Sequence, residues 1–250
     1  MKLEGLTILP GKNKKGEPEN FDKIEIKPGQ IVSIVGKTGS GKSQLLYDIE
    51  TLSRGDSISG RKILLNGKTI DRKTVFSSEF TMIGHVSQNL KFFVDMTVGE
   101  FINYHCEILG KGRCSMEVIE LANKLTGEPI SEDMRLHQLS GGQSRALMIA
   151  DILIVRDSPI ILADEIENAG IEKVKVLDLF RSRKDRIIIL STHDPILALS
   201  SDFRIVIKEG GISNIIYTTE KEKEILEKVK SYEIEYMEIK NKIRNGEIIG

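Results

Sequence analysis

Three short runs dominated by apolar residues stand out along the chain, and each is followed at once by glycine-rich or polar sequence. They are Ile31–Val35, Ile160–Ala163 and Ile187–Leu190. Strands that are apolar without alternation are typical of parallel sheets covered on both faces. The pattern therefore predicts that these runs are buried strands of one parallel sheet.

Alternating and helical patterns fill the sequence around these runs. Alternation predicts strands at 3–9, 22–27 and 81–87, a hairpin-like turn at Asn66-Gly67 within 58–70, and a terminal hairpin between Ile205 and Tyr217. Apolar residues at helical spacing predict helices over about 97–126 and from residue 142 to about Asp157. This alternation of strands and helices predicts an α/β fold with its ligand at the carboxyl ends of the strands.

The loop after the first run has the composition of a phosphate-binding loop. It comprises Gly36, Lys37, Thr38, Gly39, Ser40, Gly41, Lys42 and Ser43, between a predicted strand and a predicted helix. The glycines allow several backbone N–H groups to point at one anion, and the helix adds the positive end of its dipole. Lys42 can reach the terminal phosphates, and the Ser43 hydroxyl can coordinate Mg²⁺. This context favours a nucleoside triphosphate site over an ordinary glycine-rich turn.

Carboxylates and a histidine follow the other two apolar runs. Asp164 can hold Mg²⁺ through water, and Glu165 can orient a water molecule against the γ-phosphate. Acidic residues are common after apolar strands, so this pair gains its meaning from the phosphate loop upstream. His193 follows the third run and is predicted to contact the γ-phosphate, although a lone histidine is more often structural.

A second helix start suited to an anion lies at Leu139–Gln143, which reads Leu-Ser-Gly-Gly-Gln. Ser140 fits an N-cap, and Gly141 and Gly142 allow close approach of a ligand. A chain with two phosphate-binding helix starts requires either two phosphates or a second copy of itself.

Composition narrows the class of protein without identifying its activity. The 250 residues carry a formal net charge of -1, with 40% apolar and 29% charged residues, as in an ordinary globular protein. This charge gives no support for a nucleic-acid partner. We find neither an apolar stretch long enough for a membrane span nor a secretory signal, so we expect a cytoplasmic protein that can still dock peripherally at a membrane. Cys106 and Cys114 match no zinc or redox spacing, and we expect buried or free thiols in a reducing compartment.

These motifs, in this order, resemble those of the ATP-binding cassette (ABC) ATPases over roughly residues 1–218. The phosphate loop corresponds to the Walker A motif, Gln88 to the Q-loop glutamine, Leu139–Gln143 to the LSGGQ signature, Asp164 and Glu165 to the Walker B pair, and His193 to the switch histidine. Ser59–Gly67 resembles the β-subdomain of that family. The resemblance implies a P-loop NTPase fold of the ABC type, with a mainly parallel core sheet, an antiparallel β-subdomain and an inserted α-helical subdomain at about 89–157.

The same resemblance implies a role for each site residue. Lys42 and the loop amides would hold the phosphates of ATP, and Ser43, Gln88 and Asp164 would hold Mg²⁺ directly or through water. Glu165 would be the catalytic base, with His193 and Gln88 as further catalytic residues. Because two cassettes of this family close head to tail, Ser140, Gly141, Gly142 and Gln143 would bind the ATP of a second copy or a homologous cassette. Hydrolysis would then drive a partner.

The chain departs from the family pattern in two places near the site. After the Walker B pair the family continues Pro-Thr-Ser-Ala-Leu-Asp, whereas this chain has Ile166–Ile171, with Ile171 in place of the D-loop aspartate. The loop near residues 10–16 lacks the aromatic residue that stacks on adenine, and Phe21 is the nearest aromatic. Neither departure removes a residue assigned to phosphate, metal or water.

The last predicted element, from about 219 to 246, is rich in Lys and Glu. Apolar residues recur there at intervals of four and three, at Ile225, Val229, Tyr232, Tyr236, Ile239 and Ile243, which predicts one apolar seam on a long helix. The seam either packs on its own domain or contacts a second copy or a partner. We therefore divide the chain into an ATPase domain at 1–218 and a C-terminal amphipathic helix at 219–250.

Two functions remain open at this point. A stand-alone cassette of this family most often serves a transporter whose membrane permease is a separate chain. The alternative is a soluble ATPase of the family that remodels or reactivates a cytosolic protein complex. A permease would dock beside Gln88, in the region Asn89–Val94, where Phe92 and Phe93 either line a groove or belong to the core.

Overall fold

A mainly parallel sheet forms the centre of the computed structural model, which describes residues 2–77, 80–87, 92–169 and 172–248. The strands are β1 (Leu6–Leu9), β2 (Ile24–Ile26), β3 (Ile31–Val35), β4 (Lys62–Leu65), β5 (Ile83–Val86), β6 (Ile160–Asp164), β7 (Ile187–Ser191), β8 (Phe203–Lys208) and β9 (Gly211–Tyr217). The helices are α1 (Lys42–Glu50), α2 (Arg72–Val75), α3 (Val98–Ile108), α4 (Ser115–Leu125), α5 (Gly141–Ile154), α6 (Lys173–Ser182), α7 (Pro195–Leu199) and α8 (Glu220–Arg244). Short 3-10 helices cover Leu136–Gln138 and Ile166–Ala169.

The strands form two sheets. In the larger one the order is β5-β6-β7-β3-β8-β9, with parallel pairing up to β8 and β9 antiparallel to β8. The smaller sheet has the antiparallel order β2-β1-β4. This arrangement confirms the predicted α/β fold with a mainly parallel core sheet and an antiparallel β-subdomain. Helices α3, α4 and α5 lie within the predicted helical subdomain, whose boundaries stay a prediction.

Burial on both faces explains the continuous apolar runs. In β6, Ile161 and Ala163 belong to the hydrophobic cluster that includes α3 to α6, whereas Ile160 and Leu162 belong to the cluster with α1 and the smaller sheet. Because successive side chains of a strand point to opposite faces, a strand covered on both sides is apolar at every position.

The turn at Asn66-Gly67 forms, but the hairpin does not extend beyond it. Both residues have positive φ, 51° and 73°, as two-residue hairpin turns require. Beyond the turn only an isolated bridge joins Leu65 to Lys68, and the chain then enters α2. One edge of β4 pairs with β1. Its opposite edge, where the second strand of a hairpin would pair, lies beside a turn.

The predicted helical stretch from 97 to 126 forms two helices, α3 and α4, because Gly110 ends the first. Gly110 has φ 65°, and the Lys111 N–H donates to the Cys106 carbonyl oxygen at 2.8 Å, which is a Schellman ending. The turn brings Cys114 back to the last turn of α3, where a disulfide joins it to Cys106. The expectation of free thiols is therefore wrong, because spacing along the sequence does not reveal that the turn reverses the chain.

A charge cluster with no exposure to solvent joins four parts of the chain. Arg61, just before β4, forms ion pairs with Glu19 at 2.6 Å and with Asp48 of α1 at 3.0 Å, and their side chains are at most 1% exposed. Arg61 also donates to the Gly210 carbonyl oxygen, in the β8–β9 turn, at 2.8 Å. Glu19 in turn accepts from the Gly11 N–H at 2.8 Å, so the cluster fixes the loop between β1 and β2.

Replacing Arg61 with methionine is expected to destabilise the fold by about 3–5 kcal/mol, because the two carboxylates would stay buried without their cation. Urea denaturation of the full chain measures the free energy of unfolding. The matched control is Arg72→Met, which removes an exposed pair with Asp56 and should cost less than about 1 kcal/mol. Equal losses in the two variants would contradict a structural role for the buried cluster.

Helix α8 packs on the domain with only one flank. Leu226 is buried and Val229 is partly buried against the core, and Glu222 pairs with Arg204 of β8. The predicted seam is otherwise exposed, so the interpretation in which the whole seam packs on its own domain is wrong. Across the described ranges, no helix combines the length and apolar composition needed to cross a membrane.

Candidate functional site

Three loops carrying predicted site residues lie side by side at the carboxyl edge of the larger sheet. Strand β7 lies between β6 and β3, with Asp164 opposite Ser191 and Ser191 opposite Ile34. The phosphate loop, the acidic pair and His193 follow these three strands in turn. Parallel pairing therefore brings together residues that are more than a hundred positions apart in the sequence.

The phosphate loop leaves the first turn of α1 open to a ligand. The N-cap of α1 is Gly41, with φ 111°, and no side chain caps the helix amides. A Cβ at Gly36 would lie 2.5 Å from the Ile207 carbonyl oxygen, and a Cβ at Gly41 would lie 2.9 Å from Gly210 Cα. Only glycine fits at these two positions, so the amides and the helix dipole remain accessible to an anion. Ser40 Oγ is buried and makes no hydrogen bond within the described ranges, which fits a cradle shaped for a ligand oxygen.

Lys42, His193 and Glu165 converge beside this open helix start. Lys42 Nζ lies 2.8 Å from His193 Nε2 and donates to the Gly36 carbonyl oxygen at 3.0 Å. His193 Nε2 also lies 3.2 Å from Glu165 Oε1. One imidazole nitrogen cannot accept from Lys42 and donate to Glu165 at the same time, so the two contacts compete. An anionic oxygen placed among these groups would accept hydrogen bonds from both Lys42 and His193.

The backbone of Glu165 is held in an unusual conformation. Its φ is 47°, in the left-handed region that glutamate rarely adopts. The Glu165 N–H donates to the Ser191 carbonyl oxygen at 2.9 Å, which ties the turn to β7. Such conformations cost on the order of 1–3 kcal/mol and cluster at functional sites. The sharp turn after β6 directs the Glu165 carboxylate toward His193.

Glu167 holds the histidine loop, a role that the sequence did not indicate. Its Oε1 accepts from the Thr192 hydroxyl at 2.7 Å and from the His193 N–H at 2.9 Å. Glu167 stands where the family pattern has threonine, within a segment that looked only like a departure from that pattern. The departure therefore supplies a carboxylate that positions His193. Gly170 and Ile171, at the end of the segment, lie outside the described residues.

The signature segment begins α5 with a closed cap. Ser140 Oγ accepts from the Gln143 N–H at 3.2 Å, and Gln143 Oε1 accepts from the Ser140 N–H at 2.9 Å. Gln143 Nε2 also donates to the Pro129 carbonyl oxygen at 3.0 Å, so its side chain shapes the loop. Within the described ranges, no hydrogen bond joins the signature residues to the phosphate loop of the same chain. Arg145 lies one turn further along α5. Burial lowers the pKa of Arg145, although the negative charges of Glu167, Asp164 and Glu165 act to raise it.

Two of the three predicted Mg²⁺ ligands offer oxygen atoms of the kind that this ion prefers. Ser43 lies in the first turn of α1, and Asp164 ends β6, two strands away across the same sheet edge. Hydroxyl and carboxylate oxygens are the hard ligands that Mg²⁺ prefers, with water completing its shell. Gln88, the third predicted ligand, lies outside the described residues.

A cavity of about 530 Å³ lies beside the phosphate loop and is rich in lysine. Lys12, Lys14 and Lys15 line it, and Lys14 Nζ donates to the Gly39 carbonyl oxygen at 2.8 Å. The hydrogen bond to Glu209 raises the pKa of Lys15. Phe21, the nearest aromatic in the sequence, packs against the core and does not line the cavity. A base bound here would contact lysine stems and polar groups instead of an aromatic ring.

Lys173, at the start of α6, connects the histidine loop to α8. Its Nζ pairs with Asp194 at 2.6 Å and with Glu233 of α8 at 2.8 Å. Burial lowers the pKa of Lys173, but the hydrogen bonds to Asp194 and Glu233 outweigh it, so the pKa is raised overall. Asp194 follows His193 directly and caps α7. One ammonium group thus joins the residue after His193 to the C-terminal helix.

The chain is similar in sequence to known ATP-binding proteins. Residues 21–168 match the sequence profile of the ABC transporter family. The chain is 49% identical to an uncharacterized ABC transporter ATP-binding protein of Methanocaldococcus jannaschii, over 99% of this chain and 95% of the relative. It is 33% identical to LolD, the ATP-binding protein of a lipoprotein-releasing system in Ehrlichia chaffeensis, over 81% of this chain and 88% of the relative.

Solved structures show the same fold. CbiO1 from Clostridium perfringens, part of the ABC transporter complex CbiONQ, superposes with a TM-score of 0.65 at 25% identity and covers 91% of this chain and 95% of CbiO1. An ATP-binding cassette solved as a dimer in a post-hydrolysis state with ADP and Pi superposes with a TM-score of 0.66 at 24% identity, covering 86% and 99% of the two chains. The second likeness concerns the fold alone.

Proposed function

This chain belongs to the ABC transporter family and is an ATP-binding ATPase, and we propose that it closes head to tail with a second cassette on MgATP and couples hydrolysis to a membrane permease. The observation that carries the hydrolytic part of this proposal is the convergence of Lys42, His193 and Glu165 beside the uncapped start of α1. A cation, a hydrogen-bond donor and a base at one point are the groups that γ-phosphate hydrolysis uses.

The residues act on ATP in distinct ways. The α1 amides and Lys42 hold the β- and γ-phosphates, which draws Lys42 away from His193. His193 then donates to a γ-phosphate oxygen, and Glu167 keeps the backbone of His193 in position. Glu165 accepts a proton from the water that attacks the γ-phosphorus. The bond between the γ-phosphorus and the oxygen that bridges to the β-phosphorus breaks, and this oxygen leaves as part of ADP. Ser43, Asp164 and Gln88 would hold Mg²⁺, which would neutralise charge on the phosphates.

The signature segment completes the site from the second cassette. Ser140 and the amides of Gly141 and Gly142 are placed at a helix start, where the dipole favours the γ-phosphate of the other subunit. Their lack of hydrogen bonds to the phosphate loop of their own chain is consistent with action on a neighbour. Closure would exclude water from both sites and bring each signature onto the opposite ATP.

An exposed surface near α3 supports a docked partner. Phe93 has 92% of its surface exposed, and a shallow cavity of about 740 Å³ lies beside α3, lined by residues that include Asp95 and Tyr104. Phe92, in contrast, packs on Phe101 with ring centroids 5.4 Å apart and is partly buried against the core. An exposed aromatic beside a polar cavity suits the end of a permease helix. The relatives named above, LolD and CbiO1, serve a releasing system and a transporter complex.

Affinity purification of the tagged Glu165→Gln variant with MgATP, from its own cells, tests the proposal. The membrane and soluble fractions are analysed separately. The control is the double variant Lys42→Ala/Glu165→Gln, which should bind ATP more weakly than Glu165→Gln, at an ATP concentration that fills only the site of the single variant. Enrichment of a polytopic membrane protein over the control supports the permease. Enrichment of a soluble complex alone supports instead the alternative function of remodelling a protein complex. Equal recovery from both variants contradicts a partner coupled to ATP.

A further inference from the structure

The apolar seam of α8 and the flank that packs on the domain are two neighbouring stripes of the same helix, and Val229 lies in both. At about 100° per residue, Glu222, Leu226, Val229 and Glu233 centre on a line about 80° away from the line of Ile225, Tyr232, Tyr236 and Ile239. The first stripe contacts the core, Arg204 and Lys173. The second is exposed, with Tyr232 at 69% and Ile243 at 60%. Packing on the domain therefore fixes α8 in place and leaves an apolar stripe beside the contact.

The C-terminal half of α8 extends beyond the contact with the domain. From Ile234 to the end of the described residues, the side chains described are all exposed apart from Lys240, which lies 6.0 Å from the Tyr236 ring. This half spans about 16 Å at 1.5 Å per residue. A short helix with no tertiary contact is marginal in water. Its stability would gain from a partner that covers the exposed Tyr236, Ile239 and Ile243.

We propose that a second copy of this chain covers this stripe, through a parallel two-stranded coiled coil of the two α8 helices formed without nucleotide. The intervals of four and three place Ile225, Tyr232 and Ile239 at d positions and Val229, Tyr236 and Ile243 at a positions. The proposed contact is separate from the ATP-dependent contact between phosphate loop and signature. It holds two cassettes together before ATP binds.

The charged residues beside the apolar stripe favour a second copy of α8 as the partner and a parallel orientation of the two helices. In a parallel pair, each g residue faces the e residue of the next heptad on the partner helix. Within α8 these pairs are Lys228 with Glu233 and Glu235 with Lys240, and both are of opposite sign. Glu235 is exposed in the single chain and has no ion pair within the described ranges, whereas Glu233 also pairs with Lys173 of its own chain at 2.8 Å.

The antiparallel arrangement that buries the same six seam residues has the opposite character. There g faces g and e faces e, so Lys228 meets Lys242, Glu235 meets Glu235, and Glu233 meets Glu233. Like charges at such positions repel. The sequence of α8 is therefore complementary to itself in the parallel direction and unfavourable in the antiparallel direction.

Disulfide trapping of the full-length protein without nucleotide tests the geometry. In Ile239→Cys, a parallel pair places the two thiols opposite each other, whereas an antiparallel pair places residue 239 opposite Val229. The control is Ile234→Cys, which places a thiol on another face of the C-terminal half of α8. It also shows whether an added thiol exchanges with the disulfide between Cys106 and Cys114. Oxidation should give a covalent dimer for the first variant and not for the second. Equal trapping, or none, overturns the proposal.

Sedimentation equilibrium without nucleotide tests the charge pairing. Glu235→Lys should weaken the dimer by about tenfold, because two attractions become repulsions, and Glu235→Lys/Lys240→Glu should restore it. Glu235→Lys would not change the affinity of an antiparallel dimer. There Glu235 of one helix lies opposite Glu235 of the other, so two facing glutamates would become two facing lysines. A monomeric parent, or a dimer unchanged by Glu235→Lys, contradicts the proposal. Because ATP is absent, this failure is separate from any failure of ATP-driven closure.

Discussion

The Glu165→Gln variant is expected to hydrolyse ATP about 100- to 10,000-fold more slowly than the parent while it retains bound ATP. Glutamine keeps the shape of the side chain but cannot accept the proton of the attacking water. The contacts to phosphate come from α1 and Lys42, so binding should survive. The variant should therefore accumulate in the ATP-bound form and, if closure occurs as proposed, as a nucleotide-dependent dimer.

Two measurements check this result. Phosphate release under saturating MgATP reports hydrolysis, and filtration with labelled ATP reports retention. The matched control is Glu167→Gln, since Glu167 acts through an oxygen that accepts from Thr192 and His193. Glutamine retains that acceptor, so the rate should fall less than about tenfold. If Glu165→Gln hydrolyses ATP like the parent, Glu165 is not the base.

Replacing Lys42 with alanine is expected to weaken ATP binding by roughly 10- to 100-fold, the value of one charged hydrogen-bond donor to phosphate. Lys42 is only 7% exposed, and its ammonium group is already held between the Gly36 carbonyl oxygen and His193. Little side-chain entropy is therefore lost when it turns to a phosphate. Calorimetric titration with a nonhydrolysable analogue of ATP measures the affinity of the variant and of the parent for the nucleotide.

The control for Lys42 is Lys23→Ala. Lys23 pairs with Glu25 at the surface of the smaller sheet, with 57% of its side chain exposed, and its loss removes the same charge from the whole protein. That variant should bind ATP as the parent does. Unchanged affinity in Lys42→Ala would contradict the assignment of the phosphate loop.

The sheet and its carboxyl edge were predictable because their signals are local. The apolar runs at β3, β6 and β7 end within one residue of their predicted limits. Once these strands pair in parallel, the loops that follow them meet, and the phosphate loop, Glu165 and His193 come together. The spacing of apolar residues that predicted α8 was also a local signal. Which flank of the helix packs on the domain depends instead on Arg204 and Lys173, which lie outside the helix.

Contacts over long sequence distances were not predictable from one chain. Arg61 reaches Glu19 and Gly210, which are 42 and 149 positions away, and a lone arginine before a strand gives no sign of this. Glu167 looked like a change in the family pattern, because its partners at Thr192 and His193 lie on another loop. The cysteine pair depended on the turn at Gly110, which places two helix ends together.

Lys173 provides the contact through which the C-terminal helix and the nucleotide site would be thermodynamically linked. The same ammonium group serves Asp194, beside His193, and Glu233, on α8. A displacement of α8 that removes Glu233 leaves Asp194 as the remaining carboxylate on that cation and changes the setting of the histidine loop. Linkage of this kind is reciprocal, so any factor by which α8 alters ATP affinity is the factor by which ATP alters the position of α8.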